Sequence, residues 1–181
     1  MRADGGAVAL VVAGPTMERL SAVEAGRIEA TILTPSETPR AKKQGLIEVY
    51  DMLELGIEVQ GNGFATSRSF IRSQRDTALS ALRSYVEAIY FIGKNKDESK
   101  RIAAKYMRTN EQEVLDATYD WFVKRVAKRP YPTLKGIQYL LDEMAPKVPQ
   151  AKTAKPEQFV DISLLQQLEK EGFFAEMAKR Y

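Results

Sequence analysis

The sequence predicts an α/β fold with a mainly parallel sheet, followed by a helix-rich C-terminal part. Apolar runs rich in β-branched residues lie at 7–12, 28–33 and 46–50, as expected for buried strands. Between them lie segments of helical pattern that each end at a glycine, which gives the order β-α-β-α-β. From residue 69 onward, apolar residues recur every three or four positions, and this spacing predicts helices.

Two helices are predicted between these strands. Pro15 suits the first turn of a helix over 17–25, and Gly26 stands where a glycine commonly ends a helix. A short basic helix over 36–44 is followed in the same way by Gly45. Both helices would serve as the crossover connections that parallel strands require.

The pattern changes after Leu55. Two more short strands are predicted at 56–60 and 64–67, on either side of a turn over 61–63. The later helices are predicted at 75–93, 96–107, 111–127, 134–144 and 161–181, the last interrupted at Gly172.

The composition is that of a soluble globular protein, with 44% hydrophobic residues, 28% charged residues and a net charge of +3. The basic residues are spread along the chain with acidic residues among them, so no nucleic-acid-binding face is predicted. The chain has no histidine and no cysteine, which excludes His-based triads, thiolate chemistry and the commonest metal ligand. An enzyme that uses carboxylates, lysine or tyrosine is still possible, but we expect no catalytic residues, metal or cofactor.

The apolar runs are also too short to cross a membrane, because a spanning helix needs about 20 apolar residues. The run at 7–13 lacks the basic flank and the small-residue cleavage site of a secretion signal. We interpret it as a strand, and as written the chain is expected to carry no export signal.

Five stretches of the sequence follow one another in a characteristic order. They are ERLSAVEAGRIEATILTP (18–35), GLIEVYDMLELGIEVQGNGFATSRSFI (45–71), ALRSYVEAIYFIGKNKDES (81–99), RPYPTLKGIQYLLDEM (129–144) and KPEQFVDISLLQQLEKEGFF (155–174). The ordered set resembles the ABC-transporter solute-binding proteins that bind nitrate, sulfonates, taurine or pyrimidine-type thiamine precursors. The first stretch is similar to the helix–strand that leads into the ligand cleft in that family, and the last to its closing segment.

This resemblance implies a type II periplasmic-binding-protein fold, in which two α/β lobes joined by a hinge close around a solute. Residues 1–55 would form the end of lobe 2 and residues 56–181 the return into lobe 1, so the chain would hold only part of that fold. The implied function is the solute-binding component of an ABC-type importer, with a small organic or oxyanion ligand in the interlobe cleft. The implied partner is the importer's permease, and the implied location is periplasmic or otherwise extracytoplasmic.

Candidate ligand contacts fall at the ends of the predicted strands. They are Gly14, Thr16, Thr34, Pro35, Ser36, Asn62, Gly63 and Phe64. The strand–helix junction at Gly14 and Thr16 offers free N–H groups and the positive end of a helix dipole to an anion. The alternative is that Thr16 only caps its own helix.

The other candidates have alternatives of the same kind. Thr34 and Ser36 would supply hydroxyl donors at the edge where open α/β sheets hold ligands, with Pro35 stiffening the loop. Ser36 alternatively only caps the helix that follows. Phe64 would stack on a planar solute beside Asn62 and Gly63, or lie in the core. Three arginines, Arg19, Arg68 and Arg72, would either pair with an anion or form surface salt bridges.

Two further functions stay open from the sequence. One is an enzyme related to the proteins of this fold that act on pyrimidine precursors, although the histidine and cysteine on which those enzymes depend are absent. The other is an interaction or sensory module, with a homodimer in which each copy covers the exposed sheet edge of the other.

Overall fold

The computed structural model describes residues 8–56, 58, 60 and 63–181 of the chain. In these residues the regular structure is helical throughout. The α-helices are α1 (Thr16–Glu24), α2 (Thr38–Lys43), α3 (Arg68–Ser73), α4 (Arg75–Lys94), α5 (Lys96–Met107), α6 (Gln112–Arg125), α7 (Leu134–Met144), α8 (Ser163–Lys170) and α9 (Phe173–Arg180). Short 3₁₀ helices lie at Met52–Leu55, Pro149–Lys152 and Pro156–Phe159.

The predicted sheet is wrong. The described residues contain no β-strand, so the α/β fold of the type II periplasmic-binding class is not observed. Among these residues, no backbone–backbone hydrogen bond joins the runs at 8–12, 28–33 and 46–50 to one another. A strand exists only where a neighbouring chain pairs with its N–H and C=O groups, and the described part of the chain supplies no such pairing to these runs.

The apolar runs instead expose their side chains. Leu10 is 96% exposed, and Val12, Ile47 and Val49 are exposed as well. Aliphatic β-branched residues favour strands whose side chains pack against another layer of the protein, but their presence does not provide that second layer. The segments at 56–60 and 64–67 also lack strand structure where they are described. Residues 7, 57, 59, 61 and 62, which belong to the predicted strands and turn, lie outside the described residues.

The helix predictions are confirmed, in several cases to the residue. The helices predicted at 96–107 and 134–144 are α5 and α7, and Thr133 caps α7 by accepting the N–H of Gly136 at 3.3 Å. Gly172 separates α8 from α9 with a φ of 74°, a left-handed conformation that favours glycine. These elements depend on local spacing and caps, which are visible in the sequence.

The chain divides into two compact units, each made of two segments. The first unit comprises the described residues of 1–49 together with 100–121, and the second comprises the described residues of 50–99 together with 122–181. The unit boundaries fall within α5 and α6. In the first unit, Leu20 and Ala22 of α1, Ala41 of α2, and Val114 and Leu115 of α6 are buried.

The second unit has a larger core, built from α4, α8 and α9. Its buried members are Leu79, Val86, Tyr90, Leu165, Leu168, Phe173, Phe174 and Met177. Polar side chains tie the same helices together: Arg75 donates to Gln167 Oε1 at 2.9 Å, Arg83 pairs with Glu171, and Arg180 pairs with Glu87 at 2.8 Å. A smaller cluster of Ile137, Leu141 and Ala151 joins α7 to the 3₁₀ helix at Pro149–Lys152.

Candidate functional site

Arg19 links two of the predicted ligand-binding segments in the first unit. From the first turns of α1, its Nη1 donates to the carbonyl oxygen of Gly14 at 3.0 Å. Its Nη2 donates to Thr16 Oγ1 at 3.2 Å and to the carbonyl oxygen of Ile32 at 3.2 Å. The chain just before α1 and the chain just before Thr34 are therefore held by one guanidinium group.

The acceptors of Arg19 are all neutral oxygens. Within the described residues Arg19 makes no ion pair, so the surface salt bridge considered for it from sequence is not formed. Arg68 donates from Nη2 to the carbonyl oxygen of Gln158 at 2.8 Å and also makes no ion pair within the described residues, although its charge helps to lower the pKa of Asp161. The Arg19 guanidinium, bonded to neutral groups, keeps its positive charge.

The start of α1 differs from the predicted cap. The N-cap position is Pro15, without a side-chain cap, and Thr16 is the first helical residue, whose hydroxyl accepts from Arg19 instead. Gly14 has a φ of 81°, and a methyl group added there would collide with the carboxylate of Glu18. The left-handed backbone conformation favours glycine at position 14, whereas the Glu18 carboxylate over it is the end of a flexible side chain that could turn away.

The donors predicted at Thr34 and Ser36 are used within the chain. The Glu37 carboxylate accepts from the N–H of Thr34 at 3.1 Å, from the Thr34 hydroxyl, and from Ser36 Oγ at 2.7 Å. Glu37 is itself the N-cap residue of α2, which has no side-chain cap, so Ser36 does not cap this helix. A ligand at this turn would have to displace Glu37.

A groove of about 640 Å³ runs beside α1 in the first unit. Its apolar lining comes from Val11, Val12, Ala13, Met17, Ala22 and Ile28. Its polar lining comes from Glu18, Ser21 and Arg27. None of the predicted contacts Gly14, Thr16, Thr34, Pro35 and Ser36 lines the groove. Gly14 and Thr16 are adjacent in sequence to the lining residues Ala13 and Met17.

Sequence reasoning missed the polar lining residues. Glu18 and Ser21 stand three positions apart on α1, and Met17 and Ser21 four apart, which is the spacing of one helix face. The three-residue spacing of Met17, Leu20 and Val23 indicates instead an apolar stripe for packing, and this stronger signal hides the polar face. Met17 is instead part of the groove and is 44% exposed.

Phe64 and Gly63 belong to the second unit. Phe64 is 71% exposed, and its ring makes an edge-to-face contact with that of Tyr85, at 4.8 Å between centroids with the planes 88° apart. Phe64 is therefore not a core residue. Asn62 lies outside the described residues.

A second depression, of about 410 Å³, lies at the start of α7 in the second unit. Its polar groups satisfy one another: Glu58 accepts from the Thr133 hydroxyl at 2.7 Å, and Gln138 donates to Asp142 at 2.8 Å. Paired groups of this kind leave little for a ligand to bind, so we assign it no function.

The described residues hold no group of three or more histidine, cysteine, aspartate or glutamate side chains placed to bind a metal ion. Among them, no helix has the length and apolar character needed to span a bilayer.

Comparison with known proteins gives no match: no protein-family model, no curated protein and no solved structure matches this chain. The family resemblance carried by the sequence stays a prediction.

Proposed function

We propose that this protein is the solute-binding component of an ABC-type importer and that the groove beside α1 is its ligand site. The sequence resemblance supports the function, and the groove supports the location. A volume of about 640 Å³ falls within the roughly 300–1,000 Å³ typical of small-molecule sites. The ligand class is a small organic molecule or an oxyanion.

The observation that carries the proposal is the arrangement at the N-terminal end of α1. The Arg19 guanidinium is bonded to the neutral oxygens of Gly14, Thr16 and Ile32, and the helix dipole adds a partial positive charge at the same place. The Glu18 carboxylate lies over Gly14 and lines the groove. The negative group of a solute would replace this carboxylate beside the positive charge.

The remaining parts of the proposal follow from the resemblance. The partner would be the permease of the importer, and the protein would work in the periplasm or another extracytoplasmic space. Catalysis is not part of the proposed function.

The experiment is a thermal-shift screen of the whole chain against inorganic oxyanions, alkyl sulfonates, carboxylates and heteroaromatic compounds. Any stabilising compound is then tested against Ser21→Trp, which fills the groove from an exposed position of α1. The matched control is Ser80→Trp, at an exposed position of α4 that does not line the groove. We expect stabilisation of the native chain and of the control, and its loss in Ser21→Trp.

A screen in which no compound stabilises the native chain would contradict the proposed function. A compound that stabilises Ser21→Trp as well as the control would show that the groove is not the site.

A homodimer is a second candidate, favoured by one observation. The run at 8–12 is uncharged and exposes Val8, Leu10, Val11 and Val12. Apolar stretches of this kind associate readily with an identical copy, because pairing brings no like charges together. Light scattering at several protein concentrations separates a dimer from a monomer.

A further inference from the structure

We infer that Glu18 is a built-in competitor of the ligand: in the free protein its carboxylate occupies the place over Gly14 that the negative group of a bound solute takes. Glu18 therefore sets how tightly the groove beside α1 holds an anion. This inference rests on the proposed function and specifies the regulation of the same site.

The position of the Glu18 side chain depends on the glycine at position 14. Glu18 is the third residue of α1, and its side chain turns back over Gly14. A methyl group added at Gly14 would collide with Glu18 Oε2 and would lie 3.0 Å from Glu18 Cδ. The carboxylate thus fills the space that a side chain at position 14 would take, and Glu18 is at the same time part of the groove lining.

The N-terminal end of α1 attracts a negative group. The first N–H groups of an α-helix have no acceptor within the helix, and Pro15 at the N-cap position offers no side-chain acceptor. The helix dipole adds a partial positive charge there, and so does the Arg19 guanidinium, whose Nη1 donates to the carbonyl oxygen of Gly14 at 3.0 Å. In the free protein Glu18 supplies the negative group that this end of the helix favours.

The Glu18 carboxylate is held more loosely than two other acids of the first unit. In the part of the chain that the structure describes, it has neither a hydrogen bond nor an ion pair. Glu24 of the same helix pairs with Arg40 at 3.7 Å, and Glu37 accepts hydrogen bonds from the turn that precedes it. Because no such bond has to be broken, the Glu18 carboxylate can turn away from Gly14 when another anion arrives.

This competition lowers the affinity of the groove for anions. Two negative groups a few ångströms apart repel each other, so an anionic group binds over Gly14 only when the Glu18 carboxylate has turned away. The apparent affinity is reduced by the fraction of molecules in which it has done so. If the positive helix end keeps the carboxylate in place in about nine molecules of ten, an anion binds about tenfold more weakly than it would without this charge.

The experiment is isothermal titration calorimetry of the whole chain at neutral pH with propanesulfonate and with propanesulfonamide, its uncharged analogue. Glu18→Gln keeps the shape of the side chain and removes its charge, so it should bind propanesulfonate about tenfold more tightly than the native chain does. The affinity for propanesulfonamide should not change. Glu24→Gln removes an acid of the same helix outside the groove and should leave both affinities unchanged.

A further variant tests where in the groove the anion lies. Arg27 is the basic residue among the described lining residues and offers another place for an anion. We expect the tenfold gain from Glu18→Gln to persist in an Arg27→Gln background, because the competition takes place over Gly14. Loss of the gain in that background would place the anion at Arg27 and overturn the inference.

Three other outcomes would also overturn it. One is a Glu18→Gln variant that binds propanesulfonate no more tightly than the native chain. Another is an equal gain in Glu24→Gln, which would show a general effect of net charge. The third is absence of propanesulfonate binding in both native and Glu18→Gln protein while another compound of the screen binds in the groove, which leaves the proposed function intact. If no compound binds at all, the proposed function fails together with the inference.

Discussion

The two units of the molecule differ in how they use apolar residues. In the second unit, the apolar faces of α4, α8 and α9 bury one another, and Leu168 is completely buried. In the first unit, α1 buries Leu20, but long apolar stretches before and after it have no cover in the described residues. The second unit therefore has the features of a stable scaffold, whereas the first has exposed surface and a groove suited to binding.

The largest expected effect tests the scaffold. Leu168→Ala should lower the free energy of unfolding by about 2–5 kcal/mol, because it leaves a cavity in the α4–α8–α9 core. Leu10→Ala in the first unit should change it by less than about 0.5 kcal/mol, because Leu10 is already exposed. Urea denaturation followed by circular dichroism gives both values. Equal losses would show that the run at 8–12 is packed in solution.

The exposed run also makes association testable. If the chain forms a dimer through 8–12, Leu10→Lys with Val12→Lys should weaken the dimer about hundredfold, since it places four like charges at the pairing surface. Sedimentation equilibrium measures the change. A dimer that withstands both substitutions is held by another surface, and this second candidate would be abandoned.

A smaller loss of stability is expected when the hydrogen bonds of Arg19 are removed. Arg19→Met keeps the apolar stem but removes three hydrogen bonds, so it should destabilise the first unit by about 1–2 kcal/mol. Hydrogen exchange should become faster around 14–34 and stay unchanged in α8 and α9. Arg40→Met, which breaks only a 3.7 Å pair with Glu24, serves as the control and should have little effect.

The smallest effect concerns pH in the second unit. The Ser163 hydroxyl and its N–H, the latter at 2.9 Å, donate to Asp161, and these hydrogen bonds hold the pKa of this carboxyl below its ordinary value of 3.8. A lowered pKa means that the carboxylate stabilises the fold above about the ordinary value and that this contribution is lost as the pH falls through the folded-state pKa. Asp161→Asn should therefore speed hydrogen exchange at the start of α8 at neutral pH, and the difference from native protein should vanish in acid. A difference that persists in acid would rule out the charge as its cause.

The sequence predicted most of the helices because their signals are local. Thr133 before α7, Gly172 between α8 and α9, and the three- and four-residue spacing in α4 act within a few residues of the chain. The strands were predicted wrongly because strand formation needs a partner from elsewhere. The apolar residues at 8–12 favour burial in a sheet, but no other described segment forms backbone hydrogen bonds with them.

The candidate site was predictable only in part. The sequence predicts that 14–16 and 34–36 lie at one edge of a sheet, whereas in the structure Arg19 joins 14–16 to Ile32 and 34–36 do not line the groove. The hydrogen bonds of Thr34 and Ser36 to Glu37 were not predicted, since Ser36 was expected either to bind ligand or to cap α2. The charges of the groove, Glu18 and Arg27, were missed because one lies on a helix face and the other beyond its end. Their common groove depends on how the chain turns after α1.

The most direct test of binding in the first unit is hydrogen exchange of the whole chain with and without the compound that stabilises it most in the thermal-shift screen. We predict slower exchange within 11–28, around the groove, and no change in α8 and α9. Protection confined to α8 and α9, or none within 11–28 at saturating ligand, would contradict the assignment of binding to the first unit.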